Sequence, residues 1–139
     1  MKGNLPAIFI GVGAGTVSSL VMIGALCLVL GLDDSITAAL LPKSITTAIG
    51  MGISEEFGGV VTITVAVIIL TGVLGNIICQ AVCKLAGITD PVAKGIAIGS
   101  SSHAIGTTKA MEIGQLQGAM SSIAICVCGI LTSILVMFF

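Results

Sequence analysis

Three long apolar runs constrain the fold of this chain more than any other sequence feature. They cover residues 5–32, 60–86 and 119–139, and Lys84 is the only charged residue within them. A helix of about 20 apolar residues crosses the roughly 30 Å hydrocarbon core of a bilayer, and each run is long enough. The first run is also longer than the roughly 7–15 residue core of a signal peptide. We therefore predict an all-α integral membrane protein with three transmembrane helices.

The composition excludes several classes of soluble protein. Only 8% of the residues are charged, whereas a soluble domain has about 25%. The chain has no Arg, Trp or Tyr, so it lacks the basic and aromatic surface of a nucleic-acid-binding protein. Because the cysteines lie in the apolar runs, we expect them to pack, and we predict no disulfide framework, metal or cofactor; they are Cys27, Cys79, Cys83, Cys126 and Cys128.

Two stretches between the runs have a different character. Residues 33–59 and 89–118 are moderately apolar, rich in Gly, Ser and Thr, and polar at their centres. The first centre is Pro42-Lys43-Ser44, where the proline disfavours helix. The second is the serine run that ends at His103, and serines compete for backbone hydrogen bonds. Each stretch is therefore predicted to form two short helices joined by a non-helical tip.

The order of these segments suggests an internal duplication. A shift of 60 residues aligns Lys43 with His103 and Thr47 with Thr107. The order of segments also repeats, because an apolar span followed by a broken segment occurs twice along the chain. We predict a single membrane domain over residues 1–139. Its first repeat covers about residues 5–59, its second about residues 60–118, and the final span residues 119–139.

Each broken segment either crosses the membrane as a kinked helix or returns to its starting side as a re-entrant hairpin. With Lys2 in the cytoplasm, hairpins place Lys84, Lys94 and Lys109 on the cytoplasmic side, as the positive-inside rule requires. Crossing segments would place Lys84 and Lys94 outside. We therefore predict two re-entrant hairpins. The second unit is then inverted relative to the first, as in many secondary transporters.

The tips are the candidate binding sites. An ionisable residue at membrane depth is costly, and Lys43 and His103 are the two at the tips. Together with the N-terminus of the following helix they favour an anion. The alternatives are that Lys43 extends to an interface and that His103 is a packing residue. The hydroxyl groups available to a carboxylate belong to Ser44, Thr46, Thr47, Ser101, Ser102, Thr107 and Thr108.

Two other motifs favour structural interpretations. The run Gly11–Gly15 resembles a nucleotide-binding loop, but it lies in an uncharged span, so we predict close helix packing through Gly11 and Gly15. Ser102 and His103 are adjacent and have no carboxylate near them. That arrangement does not suit a nucleophile and its base, so we do not predict an enzyme. Asp90-Pro91 is typical of a helix start.

Two stretches resemble the LrgB/CidB family of bacterial membrane proteins: LLPKSITTAIGMGISEEFGG and DPVAKGIAIGSSSHAIGTTKAMEIG. Family members are usually longer, with further N-terminal spans, so this chain is expected to be a truncated product, a fragment or a short member. Ala48 and Ala104 replace a usual Pro and a usual Gly. The positions that match the family motifs are Pro42, Lys43, Ser44, Thr46, Thr47, Asp90, Pro91, Gly99, Ser102, His103, Gly106 and Thr107.

The resemblance implies a multi-pass protein of the bacterial inner membrane, with a smaller LrgA/CidA-like membrane protein as partner. Some family members are linked to pyruvate transport, and the related plastid protein carries glycolate and glycerate. We therefore expect a carrier, or carrier subunit, for small monocarboxylates that forms a homo-oligomer. The alternative is an antiholin-like regulator of murein hydrolases that acts by assembling in the membrane. The predicted substrate-binding residues are Lys43, Ser44, Thr46, Thr47, Ser101, Ser102, His103, Gly106 and Thr107.

Overall fold

The computed structural model describes residues 5–138, and the described part of the chain contains helices and no strand. The predicted all-α class is therefore confirmed. Six helices follow one another along the chain: α1 (Leu5–Leu30), α2 (Asp34–Leu40), α3 (Thr47–Glu56), α4 (Val61–Leu85), α5 (Pro91–Ile113) and α6 (Gln115–Val136).

Three of these helices are long and apolar enough to cross a membrane: Ile8–Leu30, Val61–Leu85 and Gln115–Val136. They agree with the three predicted spans, although α6 begins four residues earlier than expected, and the predicted end at Phe139 lies outside the described residues. Large apolar side chains such as Leu28 and Leu85 are exposed along them. An apolar surface of this extent suits lipid, and the chain is a multi-pass membrane protein.

The first broken segment consists of α2 and α3. The helix ends after Leu40, and residues 41–46 form turns before α3 begins at Thr47. The break includes Pro42, as predicted. A Cβ placed on Gly50 of α3 would lie 3.5 Å from the carbonyl oxygen of Pro42, and a Cβ on Gly59 would lie 2.9 Å from the backbone nitrogen of Ala39. The segment therefore folds back on itself, with α3 against the break and Gly59 against the last turn of α2.

The second broken segment is α5. Its start is as predicted, because Asp90 Oδ1 accepts a hydrogen bond of 2.8 Å from the backbone N–H of Ala93 and Pro91 follows the cap. The serine run does not end the helix. Instead, Ser101 Oγ bonds the carbonyl oxygen of Ala97 at 2.7 Å, within its own helix. The helical geometry is interrupted at His103, which directly follows the serine run and is the last residue of the predicted polar centre; φ is 42° and ψ is −142° there.

The two arms of α5, before and after His103, pack against the same part of α6. A Cβ on Gly99 of the first arm would lie 2.9 Å from Cβ of Ala124. On the second arm, Thr107 Oγ1 lies 2.6 Å from Ser121 Oγ. The arms also contact each other, since a Cβ on Gly106 of the second arm would lie 3.3 Å from Cγ2 of Ile98 of the first. The tip of α5 is thus held between α4 and α6.

The five cysteines are free thiols, and four of them are buried. Cys79 and Cys83 lie one turn apart among the buried residues of α4. Cys128 of α6 accepts a hydrogen bond of 3.3 Å from Thr16 Oγ1 of α1. The predicted packing role is confirmed for these three. Cys126 is exposed.

Candidate functional site

Lys43 lies in the break between α2 and α3, half-buried. Its ammonium donates a hydrogen bond of 3.0 Å to Ser44 Oγ. Ser44 Oγ in turn lies 2.9 Å from Ser19 Oγ of α1. Within residues 5–138 the one ion pair joins Lys109 to Glu112, at 2.7 Å, so Lys43 is held by hydroxyls and not by a carboxylate. Its positive charge is available to an incoming anion.

Lys43 opens onto a cavity of about 390 Å³, which we call the anion cavity. This volume lies within the roughly 300–1,000 Å³ range of small-molecule sites. Both breaks contribute to it, Lys43 and Ser44 from the first and Ser101 from the second. No acidic residue is among its lining residues, which are Gly15, Ser18, Ser19, Met22, Ile23, Leu26, Lys43, Ser44, Ser100 and Ser101.

Three of these serines were not predicted. Ser18 and Ser19 lie on α1, and Ser100 precedes the predicted Ser101. The sequence carried one signal for the first two, because they and Thr16 are hydroxyl residues in the middle of an otherwise apolar span. A second void, of about 10 Å³, adjoins the anion cavity through Ser19, Ser44 and Ser100. Its size suits about one water molecule.

His103 is buried and belongs to a different environment. Its Nε2 donates a hydrogen bond of 2.7 Å to the carbonyl oxygen of Ile68 on α4. A Cβ on Gly72 would lie 2.9 Å from the same nitrogen, so the ring packs directly on the α4 backbone. The ring is not among the lining residues of the anion cavity. This geometry suits a residue that fixes the tip to α4.

Three other predicted residues of the second tip, Ser102, Gly106 and Thr107, lie inside the packing around His103. Ser102 packs against Gly75 of α4 and against Gly106. Thr107 Oγ1 donates a hydrogen bond of 2.9 Å to the carbonyl oxygen of His103 and lies close to Ser121 of α6. All of these side chains are buried. Their polar groups are used within the protein.

Thr46 and Thr47 mark the start of α3. Thr46 is the N-cap residue, but its side chain makes no capping hydrogen bond. Both threonines are half-buried, and neither lines the anion cavity. Of the nine predicted site residues, Lys43, Ser44 and Ser101 therefore share one cavity. The roles of all nine as ligands stay predictions.

The comparisons with known proteins agree with this architecture. The model of the LrgB-like family matches residues 1–139. The Holin-like protein CidB of Staphylococcus epidermidis is 37% identical over 136 residues, which cover 98% of this chain and 59% of that protein. CidB of Staphylococcus aureus is 35% identical over the same coverage. YxaC of Bacillus subtilis is 36% identical over 129 residues, 93% of this chain and 54% of YxaC.

No solved structure matches the chain. The chain spans 59% of the length of the CidB relatives. The family match, however, extends over every residue of the sequence. The chain belongs to the LrgB-like family.

Proposed function

We propose that this protein is a membrane carrier, or a carrier subunit, for small monocarboxylates such as pyruvate or glycolate, and that it binds the anion in the anion cavity. One observation carries the proposal. The Lys43 ammonium and the hydroxyls of five serines surround a single cavity whose lining contains no carboxylate. Such a cavity attracts an anion and rejects a cation.

The chemistry of the cavity suits one negative charge. Lys43 supplies one ammonium, which makes short, strong hydrogen bonds to carboxylates. Ser44 and Ser19 are already joined to it in a chain of hydrogen bonds. Their hydroxyls are available to the neighbouring oxygen of a 2-oxo or 2-hydroxy acid. The substrate class itself comes from the family resemblance, and the proposal assigns no enzymatic step.

The proposal includes two re-entrant hairpins in an inverted repeat. The first segment contacts the beginning of α4, where Thr64 Oγ1 donates a hydrogen bond of 2.7 Å to Ser54 Oγ, and the second half of α6, where Ile49 packs against Gly129. The second segment contacts α4 beyond Ile68 and the first half of α6, at Gly118. The two segments thus approach from opposite ends of the same helices, and their tips meet near Ile68. Opposed tips of this kind are typical of transporters with inverted repeats.

The test is uptake by proteoliposomes that contain the purified protein. Labelled pyruvate, lactate and glycolate are supplied to wild type, Lys43→Ala and Lys84→Ala. Lys84 is the matched control because it is exposed at the end of α4. We expect Lys43→Ala to lower uptake and equilibrium binding by roughly tenfold or more, since a charged hydrogen bond is lost. Equal binding in wild type and Lys43→Ala would overturn the site.

A second candidate is the antiholin-like regulator. The name of the CidB relatives, Holin-like protein, favours it. Under this hypothesis the protein acts by assembling in the bilayer, and it needs no solute site. Both candidates fit a protein of the bacterial inner membrane. Both also fit a homo-oligomer and an LrgA/CidA-like small membrane protein as partner. The two differ in whether Lys43 is required.

A further inference from the structure

A single contact between α1 and α5 separates the anion cavity from a second cavity. The second cavity, of about 620 Å³, lies between the first half of α1 and the first arm of α5. Its lining includes Gly11, Ala93 and Ala97, with Asp90 also lining it. The anion cavity lies along the second half of α1, toward its C-terminal end, and reaches Leu26. Among the residues that the structure describes, Gly15 and Ser100 are the two that line both cavities.

Gly15 and Ser100 meet closely. A Cβ on residue 15 would lie 3.1 Å from Ser100 Oγ and 3.3 Å from Ser100 Cβ. Such distances are tighter than ordinary van der Waals contact, so a carbon atom added at residue 15 would require the Ser100 side chain to shift by a few tenths of an ångström. Ser100 Oγ hydrogen-bonds the carbonyl oxygen of Ala97 at 3.3 Å. The hydroxymethyl group of one serine is therefore the side chain that fills the boundary.

We propose that Gly15 and Ser100 form the constriction of the solute pathway and determine the size of the anion that passes. The inference rests on the proposed carrier function. The pathway runs from the anion cavity past this contact into the second cavity. Movement of the Ser100 hydroxymethyl group, or a small separation of α1 from α5, joins the two cavities. The hydroxyl then also offers a hydrogen bond to the passing carboxylate.

Asp90 carries a negative charge, but its position lowers the repulsion that it exerts on a passing anion. Its Oδ1 accepts the hydrogen bond from the backbone N–H of Ala93, and it lies at the N-terminus of α5, where the helix dipole offsets negative charge. The two cavities extend toward opposite ends of α1, since one includes Gly11 and the other Leu26. They are therefore expected to open on opposite sides of the membrane.

The first test measures solute size. Gly15→Ala places a methyl group against Ser100, whereas Gly13→Ala, on the same helix, meets no atom within 4 Å. We expect Gly15→Ala to lower the uptake of 2-oxobutyrate relative to glycolate by about tenfold or more, because the added methyl group narrows the opening. Gly13→Ala keeps the wild-type ratio. Ser100→Gly shifts the ratio toward 2-oxobutyrate. If both Gly15→Ala and Ser100→Gly keep the wild-type ratio of 2-oxobutyrate uptake to glycolate uptake, the proposal that Gly15 and Ser100 form the constriction is overturned.

The second test does not depend on transport. Single cysteines replace Ser18 in the anion cavity or Ala93 in the second cavity, in a variant that lacks the five native cysteines. Both positions are exposed. A charged, membrane-impermeant thiol reagent is added from either side of sealed vesicles. We expect it to label the two positions from opposite sides, because each cavity is water-filled and opens on its own side.

The outcomes separate the two proposals. If Ala93→Cys reacts only with a membrane-permeant, uncharged reagent, the second cavity is a lipid-filled groove and the proposed constriction is overturned. Anion binding at Lys43 is then still tested separately, by the binding measurement on Lys43→Ala. If both cysteines are labelled as expected but Lys43→Ala binds pyruvate as wild type does, the pathway is supported and the proposed anion site fails.

Discussion

At the scale of single residues, Lys43 and His103, which the predicted repeat aligns with each other, have different partners. The Lys43 ammonium contacts the hydroxyl of Ser44 and faces a cavity. The His103 ring contacts the carbonyl oxygen of Ile68 and faces the α4 backbone. Its φ of 42° is in the region that side chains rarely adopt, and such a conformation costs about 1–3 kcal/mol. Its hydrogen bond and close packing offset that cost.

His103→Gln separates a positioning role from an anion-binding role. We expect the variant to be less stable by about 1–3 kcal/mol, because the bond to Ile68 is lost in a buried site. We also expect its uptake to vary with pH as the wild type does through pH ~6.5, where a free imidazole titrates. Thermal unfolding in detergent and uptake in proteoliposomes measure the two effects.

Thr108→Ala is the control for His103→Gln, because Thr108 is exposed and bonds the backbone of its own helix. An unchanged unfolding temperature in His103→Gln together with a flattened pH profile would contradict the positioning role. It would support the prediction that a protonated His103 helps to hold the anion.

At the scale of elements, α1 contacts both broken segments, each with a different half of its length. The first half of α1 packs on α5 through Gly11 and Gly15, the two glycines that were predicted to mediate close packing. The second half of α1 reaches the first break through Ser19. One continuous helix thus contacts both broken segments. This division of the contacts near the middle of α1 is the arrangement that the proposed opposed hairpins predict.

Hairpins and crossing segments predict different sides for the acidic and basic residues. With single cysteines at positions 33, 56, 84 and 94, we expect an impermeant maleimide to label 33 and 56 from one side and 84 and 94 from the other. The reason is that each hairpin returns its chain to the side from which it entered. Labelling of positions 33 and 56 from opposite sides would favour crossing segments.

At the scale of the whole molecule, the three spans expose much of their apolar surface, and α6 is the most enclosed. The polar groups lie inside, around the two breaks. In the described part of the chain, every buried side-chain nitrogen and oxygen atom has a hydrogen-bond partner. This distribution suits a protein that sits in lipid and binds its ligand internally.

Carrier and assembly functions differ in their dependence on this interior. We expect proteoliposomes of the wild-type protein to accumulate pyruvate while they retain a trapped anionic dye, because a carrier binds its solute and opens no wide pore. We also expect Lys43→Ala to have the same mass in detergent by light scattering, since the substitution lies within a cavity. Release of the trapped dye by both wild type and Lys43→Ala, to the same extent, would contradict the carrier function and favour the holin-like alternative.

The sequence by itself determined the three spans, the break at Pro42 and the capped start of α5 at Asp90. These features depend on local hydropathy, on the missing N–H of proline and on a side chain that reaches its own backbone. The predicted break in the second segment is found at His103, the last residue of its polar centre. The serines themselves stay helical, because Ser100 and Ser101 bond carbonyl oxygens of their own helix.

Only the tertiary structure decided which of the polar residues share a site. Ser19 meets Ser44 across 25 positions of the chain, and His103 meets Ile68 across 35. Hydropathy and spacing do not specify such pairs, since they depend on how α1, α4 and α6 pack around the two breaks. The sequence therefore indicated Lys43 as the cation of the candidate site. The packing of the helices decides which serines lie around it, and it places the His103 ring against α4.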